Sequence, residues 1–126
     1  MVGLVLVSHS SELARGLADL AGQMAGPDVH IAAVGGGPDG ALGTDRTRVE
    51  AAIAAADSGE GVVVLGDLGS AILTIRDVLS GLNGRVRVAD APIVEGAVAA
   101  AVTASAGAPL DVVLDAAQEA RGVRKL

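Results

Sequence analysis

Short apolar runs alternate along this chain with stretches in which apolar residues recur every three or four positions. Val2–Val7 is apolar throughout, and Gly61–Leu65 is nearly so; Val29–Val34 is broken only by His30. Such runs lack the in–out alternation of a half-wet strand and predict strands covered on both faces. Arg85–Val88 alternates charge with valine, which predicts a short strand at a sheet edge. The intervening stretches read as helices. Leu13, Leu17, Leu20 and Met24 form one stripe, stopped by Gly26-Pro27. Thr44 is placed to cap a second helix bearing Val49, Ala52, Ile53 and Ala56. Ala71, Ile72, Ile75, Val78, Leu79 and Leu82 make a third stripe. Pro92 opens a fourth helix with Val94, Ala97, Val98, Ala101 and Val102 turned inward, and Pro109 opens a fifth with Leu110, Val113, Leu114 and Ala117.

Strand and helix thus alternate four times, with a helix closing the series. Buried strands in that rhythm require a mainly parallel sheet between helical layers. Right-handed crossovers restrict its wiring. The expectation is an α/β, flavodoxin-like three-layer sandwich with a four-stranded sheet in the order 2-1-3-4. A length of 126 residues fits a single domain spanning residues 1–126.

Composition narrows the chemistry. Hydrophobic residues make up 51% of the chain, yet Phe, Tyr and Trp are absent, so the core must be built from Val, Leu, Ile and Ala. The net charge of −6 and the lack of a basic cluster argue against nucleic acid and anionic membrane as partners. With no Cys there are no disulfides and no thiolate chemistry, which suits the cytoplasm. The first residues lack the basic flank and length of a signal peptide, and no apolar run approaches a membrane span.

In an open α/β sheet a ligand sits beyond the carboxyl ends of the strands, where the strand order reverses. In the order 2-1-3-4 that place lies between strands one and three. His9 falls just past the first and Asp67 just past the third, so two residues far apart in sequence should meet there. A carboxylate that accepts one imidazole N–H fixes the tautomer and makes the other nitrogen a better nucleophile. Gly69 and Ser70 open the next helix, whose free amides and dipole favour an anion. The hydroxyls of Ser8, Ser10, Ser70 and Thr44 are candidate donors to phosphate oxygens. Nucleophile, orienter and anion cradle together point to a phosphoryl group carried on histidine, on either ring nitrogen.

Other motifs fall away. Gly35-x-Gly37-x-x-Gly40 fits the dinucleotide fingerprint in letters only, since it follows the second strand and no helix opens within it. The sole lysine is Lys125, which removes the Gly-Lys-Ser/Thr phosphate loop and a buried catalytic lysine. His9 and His30 without cysteine make no zinc site, and no cofactor is expected. There is no Gly-x-Ser-x-Gly elbow. Arg15, Arg46 and Arg48 read as a solvated face.

Val5-Leu6-Val7-Ser8-His9-Ser10, followed by Leu13-Ala14-x-Gly16, resembles the start of the mannose-type IIA domains of the bacterial phosphotransferase system. Gly40-x-x-Gly43-Thr44 and Gly66-Asp67-Leu68-Gly69-Ser70-Ala71 continue the likeness, which runs to about residue 120. Ala91-Pro92-Ile93-Val94-Glu95-Gly96-Ala97 favours the branch that serves dihydroxyacetone kinase. The resemblance implies a homodimer in which His9 takes a phosphoryl group from the phosphocarrier HPr, itself charged from phosphoenolpyruvate by enzyme I. His9 would then pass it to ADP held in the kinase's nucleotide subunit. It implies phosphohistidine at His9, hydrogen-bonded by Asp67, with phosphoryl contacts from Thr44, Gly69 and Ser70. Some relatives are fused to phosphocarrier segments, so a separate donor protein is expected for this chain. An apolar collar of Leu42, Leu68 and Ile93 would seat the visiting proteins. Two further readings remain: a IIA component of a sugar-transporting system, and a regulatory module in which His9 is structural.

Overall fold

The computed structural model describes residues 1–37, 44–82 and 84–126. In chain order the elements are β1 (Gly3–Ser8), α1 (Ser11–Ala25), β2 (Ile31–Gly35), α2 (Arg46–Ala56), β3 (Val62–Gly66), α3 (Gly69–Leu79), β4 (Val86–Val88), α4 (Ile93–Ser105) and α5 (Leu110–Glu119), with a 3₁₀ turn at Ala120–Gly122. The four strands form one sheet in the order β2-β1-β3-β4, and every pairing is parallel. The expected flavodoxin-like sandwich is the observed fold. Among the described residues no helix is long and apolar enough to cross a membrane.

β1 and β3 lie at the centre, and each is buried along its whole length. Their side chains alternate between two cores, as strand geometry requires. Leu4, Leu6, Val63 and Leu65 pack with Leu17 of α1, the alanines of α4 and Val113 of α5. Val5, Val7, Val62 and Val64 pack on the other side with Val49 and Ile53 of α2 and Ala71, Ile75 and Val78 of α3. The two cores explain why these strands read as unbroken apolar runs.

Two helices bury a different face from the one their larger residues mark. In α1 the buried residues are Ala14, Leu17 and Ala21, while Leu13, Leu20 and Met24 are exposed. In α4 they are Gly96, Ala97, Ala100, Ala101 and Ala104, while Val94 and Val102 are exposed. Small residues let helix and sheet backbones approach closely. At Gly96 an added Cβ would lie 2.9 Å from the Leu65 side chain. The second helix is capped by Asp45, whose carboxylate accepts the Thr47 N–H at 3.0 Å; Thr44 lies one residue too early. The third helix stops at Leu79, short of Leu82.

Candidate active site

The register of the central strands assembles the site. Val7 pairs with Gly66, and the Asp67 N–H donates to the Val7 carbonyl at 3.1 Å. This carries the ladder one step past β3 and sets Asp67 beside Ser8 and His9. Gly35, at the end of β2, closes the other flank. A Cβ there would meet the Ser10 carbonyl oxygen at 2.4 Å and the Ser11 Cα at 2.5 Å, so only glycine lets the turn after β1 sit this close to its neighbour.

Asp67 is the hub. Its Oδ1 lies 2.9 Å from His9 Nδ1 and accepts the Leu68 N–H at 2.7 Å. Its Oδ2 accepts the Ser8 hydroxyl at 2.8 Å and the His9 N–H at 3.1 Å. Burial alone would push this carboxyl up. The Ser8 hydroxyl, the His9 ring and the two backbone amides outweigh it and hold the group below its ordinary value. An ionised carboxylate can only accept, so the neutral His9 ring carries its proton on Nδ1 and keeps its lone pair on Nε2. Nε2 points to the Ser70 hydroxyl. The His9 side chain keeps 23% of its surface exposed against 12% for Asp67, so the ring reaches outward while its partner is held behind it.

Ser70 lies in the first turn of α3. The cap position of that helix is Leu68, which makes no side-chain capping bond. The amides of the first turn therefore keep their hydrogen-bonding capacity, and Gly69 and Ser70 are exposed. Dipole and amides favour negative charge there. An imidazole lone pair beside such a helix end can take up an anionic electrophile, and the carboxylate behind it steadies the positive charge that develops on the ring.

The remaining sequence candidates are placed otherwise. Ser8 is wholly buried and turned to Asp67, so its hydroxyl is not offered to a phosphate. Ser10 caps α1 by accepting the Leu13 N–H at 3.3 Å. The Thr44 hydroxyl meets that of Thr74 at 3.1 Å, and Thr74 donates to the Ser70 carbonyl at 3.1 Å; Thr44 is thus linked to Ser70 only through Thr74. His30 is exposed, just ahead of β2. Leu68, next to Asp67 in the chain, is 61% exposed, and Leu73 on α3 is 69% exposed. Ile93 instead packs against the core, and Leu42 lies outside the described residues. Leu73 was hidden in the sequence by its place in a mostly apolar helix. A cleft of about 520 Å³ runs beside Asp67 and Gly69, with Arg76, Val88 and Asp90 along its far wall.

The fold is the one found in IIA components of the phosphotransferase system. Residues 3–114 match the family model described as the PTS system fructose IIA component, and the chain belongs to that family. Among curated proteins it is similar to the PEP-dependent dihydroxyacetone kinase phosphoryl donor subunit DhaM of Pantoea ananatis. The identity is 42% over 132 residues, covering 99% of this chain and 28% of that protein. It is 40% identical over 106 residues to the phosphoryl donor subunit DhaM of PEP-dependent dihydroxyacetone kinase 2 from Listeria innocua, covering 81% of this chain and 85% of that one. The chain thus spans little more than a quarter of the Pantoea relative and most of the Listeria one. Among solved structures it is similar to a protein of unknown function, with 35% identity, a TM-score of 0.80 and 94% of both chains covered. The mannose/sorbose specific IIA subunit of the phosphotransferase system from Enterococcus faecalis shares the fold at 19% identity, with a TM-score of 0.63 and 99% of this chain and 94% of that one covered.

Proposed function

We propose that the chain is a phosphohistidine carrier that serves a phosphoenolpyruvate-dependent dihydroxyacetone kinase. The observation that carries this reading is the His9–Asp67 pair, with Nδ1 held at 2.9 Å and Nε2 facing the uncapped start of α3. The phosphoryl donor role named for the DhaM relatives supports it. Nε2 is the nitrogen modified. The donor's phosphorus–nitrogen bond breaks as the bond to Nε2 forms, and the Nδ1 proton stays on the ring against Asp67. The Gly69 and Ser70 amides and the Ser70 hydroxyl take the phosphoryl oxygens, with Ser70 turning from the ring nitrogen to the group that replaces its contact. Thr44 supports Ser70 through Thr74. In the second half-reaction the nitrogen–phosphorus bond breaks and the group passes to ADP.

The donor is HPr and the acceptor is ADP held in the nucleotide subunit of the kinase, all cytoplasmic. The domain comprises residues 1–126 and works as a homodimer. Leu68 and Leu73, exposed at the start of and along the helix that carries Ser70, seat both protein partners in turn.

Intact mass after incubation with phosphoenolpyruvate, enzyme I and HPr tests this reading. One acid-labile phosphate is expected on the wild type and none on His9→Ala. No phosphate on the wild type would sink it, and label persisting on His9→Ala would sink the site. The family's fructose IIA description favours one alternative, a sugar-transport IIA component. Offering the phosphorylated protein to each acceptor separates the two.

A further inference from the structure

Ser8 is the only buried polar residue among those described, and the relay chemistry above does not use it. Its bonds leave no freedom. The Ser10 N–H donates to its Oγ at 3.0 Å, so the oxygen accepts on that side. The single hydroxyl proton then points to Asp67 Oδ2 at 2.8 Å, where an ionised carboxylate can only accept. The result is a directed chain from the Ser10 amide through the Ser8 hydroxyl to the carboxylate and on to the His9 ring.

We infer that Ser8 is a positioning residue for the chemistry of His9 and acts through Asp67. The inference rests on His9 being the phosphoryl acceptor. When the phosphoryl group leaves Nε2, the nitrogen–phosphorus bond breaks and its electron pair returns to Nε2. If Nδ1 has kept its proton, the ring departs as neutral imidazole and not as imidazolate. Keeping that proton requires Asp67 to be ionised and its Oδ1 to be aimed at Nδ1. A hydrogen bond from a neutral hydroxyl to a carboxylate favours the ionised form and fixes its plane. Three other ionisable groups face Asp67. His9 contacts it directly from the end of β1; Arg76 of α3 and Asp90 of the β4–α4 turn share its cleft. Asp90 is itself paired with Arg121 at 2.7 Å.

Phosphoramidate, whose phosphorus–nitrogen bond breaks with release of ammonia as the bond to Nε2 forms, is the probe; this uptake is the reverse of the departure step and draws on the same neutral, Nδ1-protonated ring. Uptake of acid-labile phosphate is followed against pH in the wild type, Ser8→Ala, Asp67→Asn and the double variant. Ser8→Ala should label roughly tenfold more slowly, the loss of one charge-assisted hydrogen bond, with its acid limb moved to higher pH because the carboxylate loses a bond that favours its ionised form. In the Asp67→Asn background the same substitution should change the rate by less than about twofold, because the effect passes through the carboxylate. A wild-type rate and acid limb in Ser8→Ala, or an equal loss in both backgrounds, overturns the inference. If the wild type takes no phosphate, the relay reading fails. The coupling is then read from the ¹⁵N shifts of the His9 ring, where a Ser8→Ala spectrum identical to wild type overturns it and a lost Nδ1–H preference upholds it. Should Ser8→Ala not fold, Ser8→Cys, similar in volume and a weak donor, is read by the same criteria.

Discussion

Four donors converge on the two oxygens of Asp67, and they bind the ionised form. Its folded-state pKa is therefore depressed. Stability from this group is present above the unfolded carboxyl value of 3.8 and is lost as pH falls through the lower folded value. Asp67→Asn should be less stable than wild type by about 1–2 kcal/mol at neutral pH. Denaturant melts at pH 7 and in acid should show that gap closing. Gly35→Ala should lose about 3 kcal/mol, since the atoms facing the new Cβ are backbone of Ser10 and Ser11 and cannot rotate away. A melting curve of that variant checks the close approach. His9 and Asp67 were legible in the sequence because strand ends and strand order together predict their meeting. The aim of Ser8 was not. A hydroxyl at a strand tip faces solvent or interior according to register, which no local pattern encodes.

At the scale of elements, α4 offers a direct comparison of its two faces. Ala100 and Ala101 are fully buried, and Val102 next to them is exposed. Ala100→Leu should destabilise the protein by about 1–3 kcal/mol through overpacking, while Val102→Ala should stay within about 0.5 kcal/mol. Thermal melts of the two variants would reverse in order if the valine face were the packed one. The strands were legible because burial on both faces leaves an unbroken apolar run. The packed faces of α1 and α4 were not, because close helix packing selects glycine and alanine, whose small side chains carry a weaker periodic signal than the leucines and valines left outside. The cap of α2 shifted for a similar reason: Thr44 and Asp45 are both good caps, and the choice between them falls to tertiary contacts with Thr74.

For the molecule as a whole, β1 and β3 are paired on both sides and buried on both faces, whereas β2 and β4 are the outer strands of the sheet among the described residues. Hydrogen exchange should therefore be slowest in β1 and β3 and faster in the three-residue β4, ordered by local opening. Uniform protection across the four strands would contradict this layering. The pairing of Val7 with Gly66 reaches beyond stability. Side chains alternate along a strand, so sliding β3 by a single residue would turn the carboxylate to the opposite face and leave the imidazole without its grip. The tautomer of one ring is thus a gauge of whether the whole sheet has been threaded correctly, and a chain that mispaired its central strands would betray itself by an imidazole whose proton is no longer held on one nitrogen.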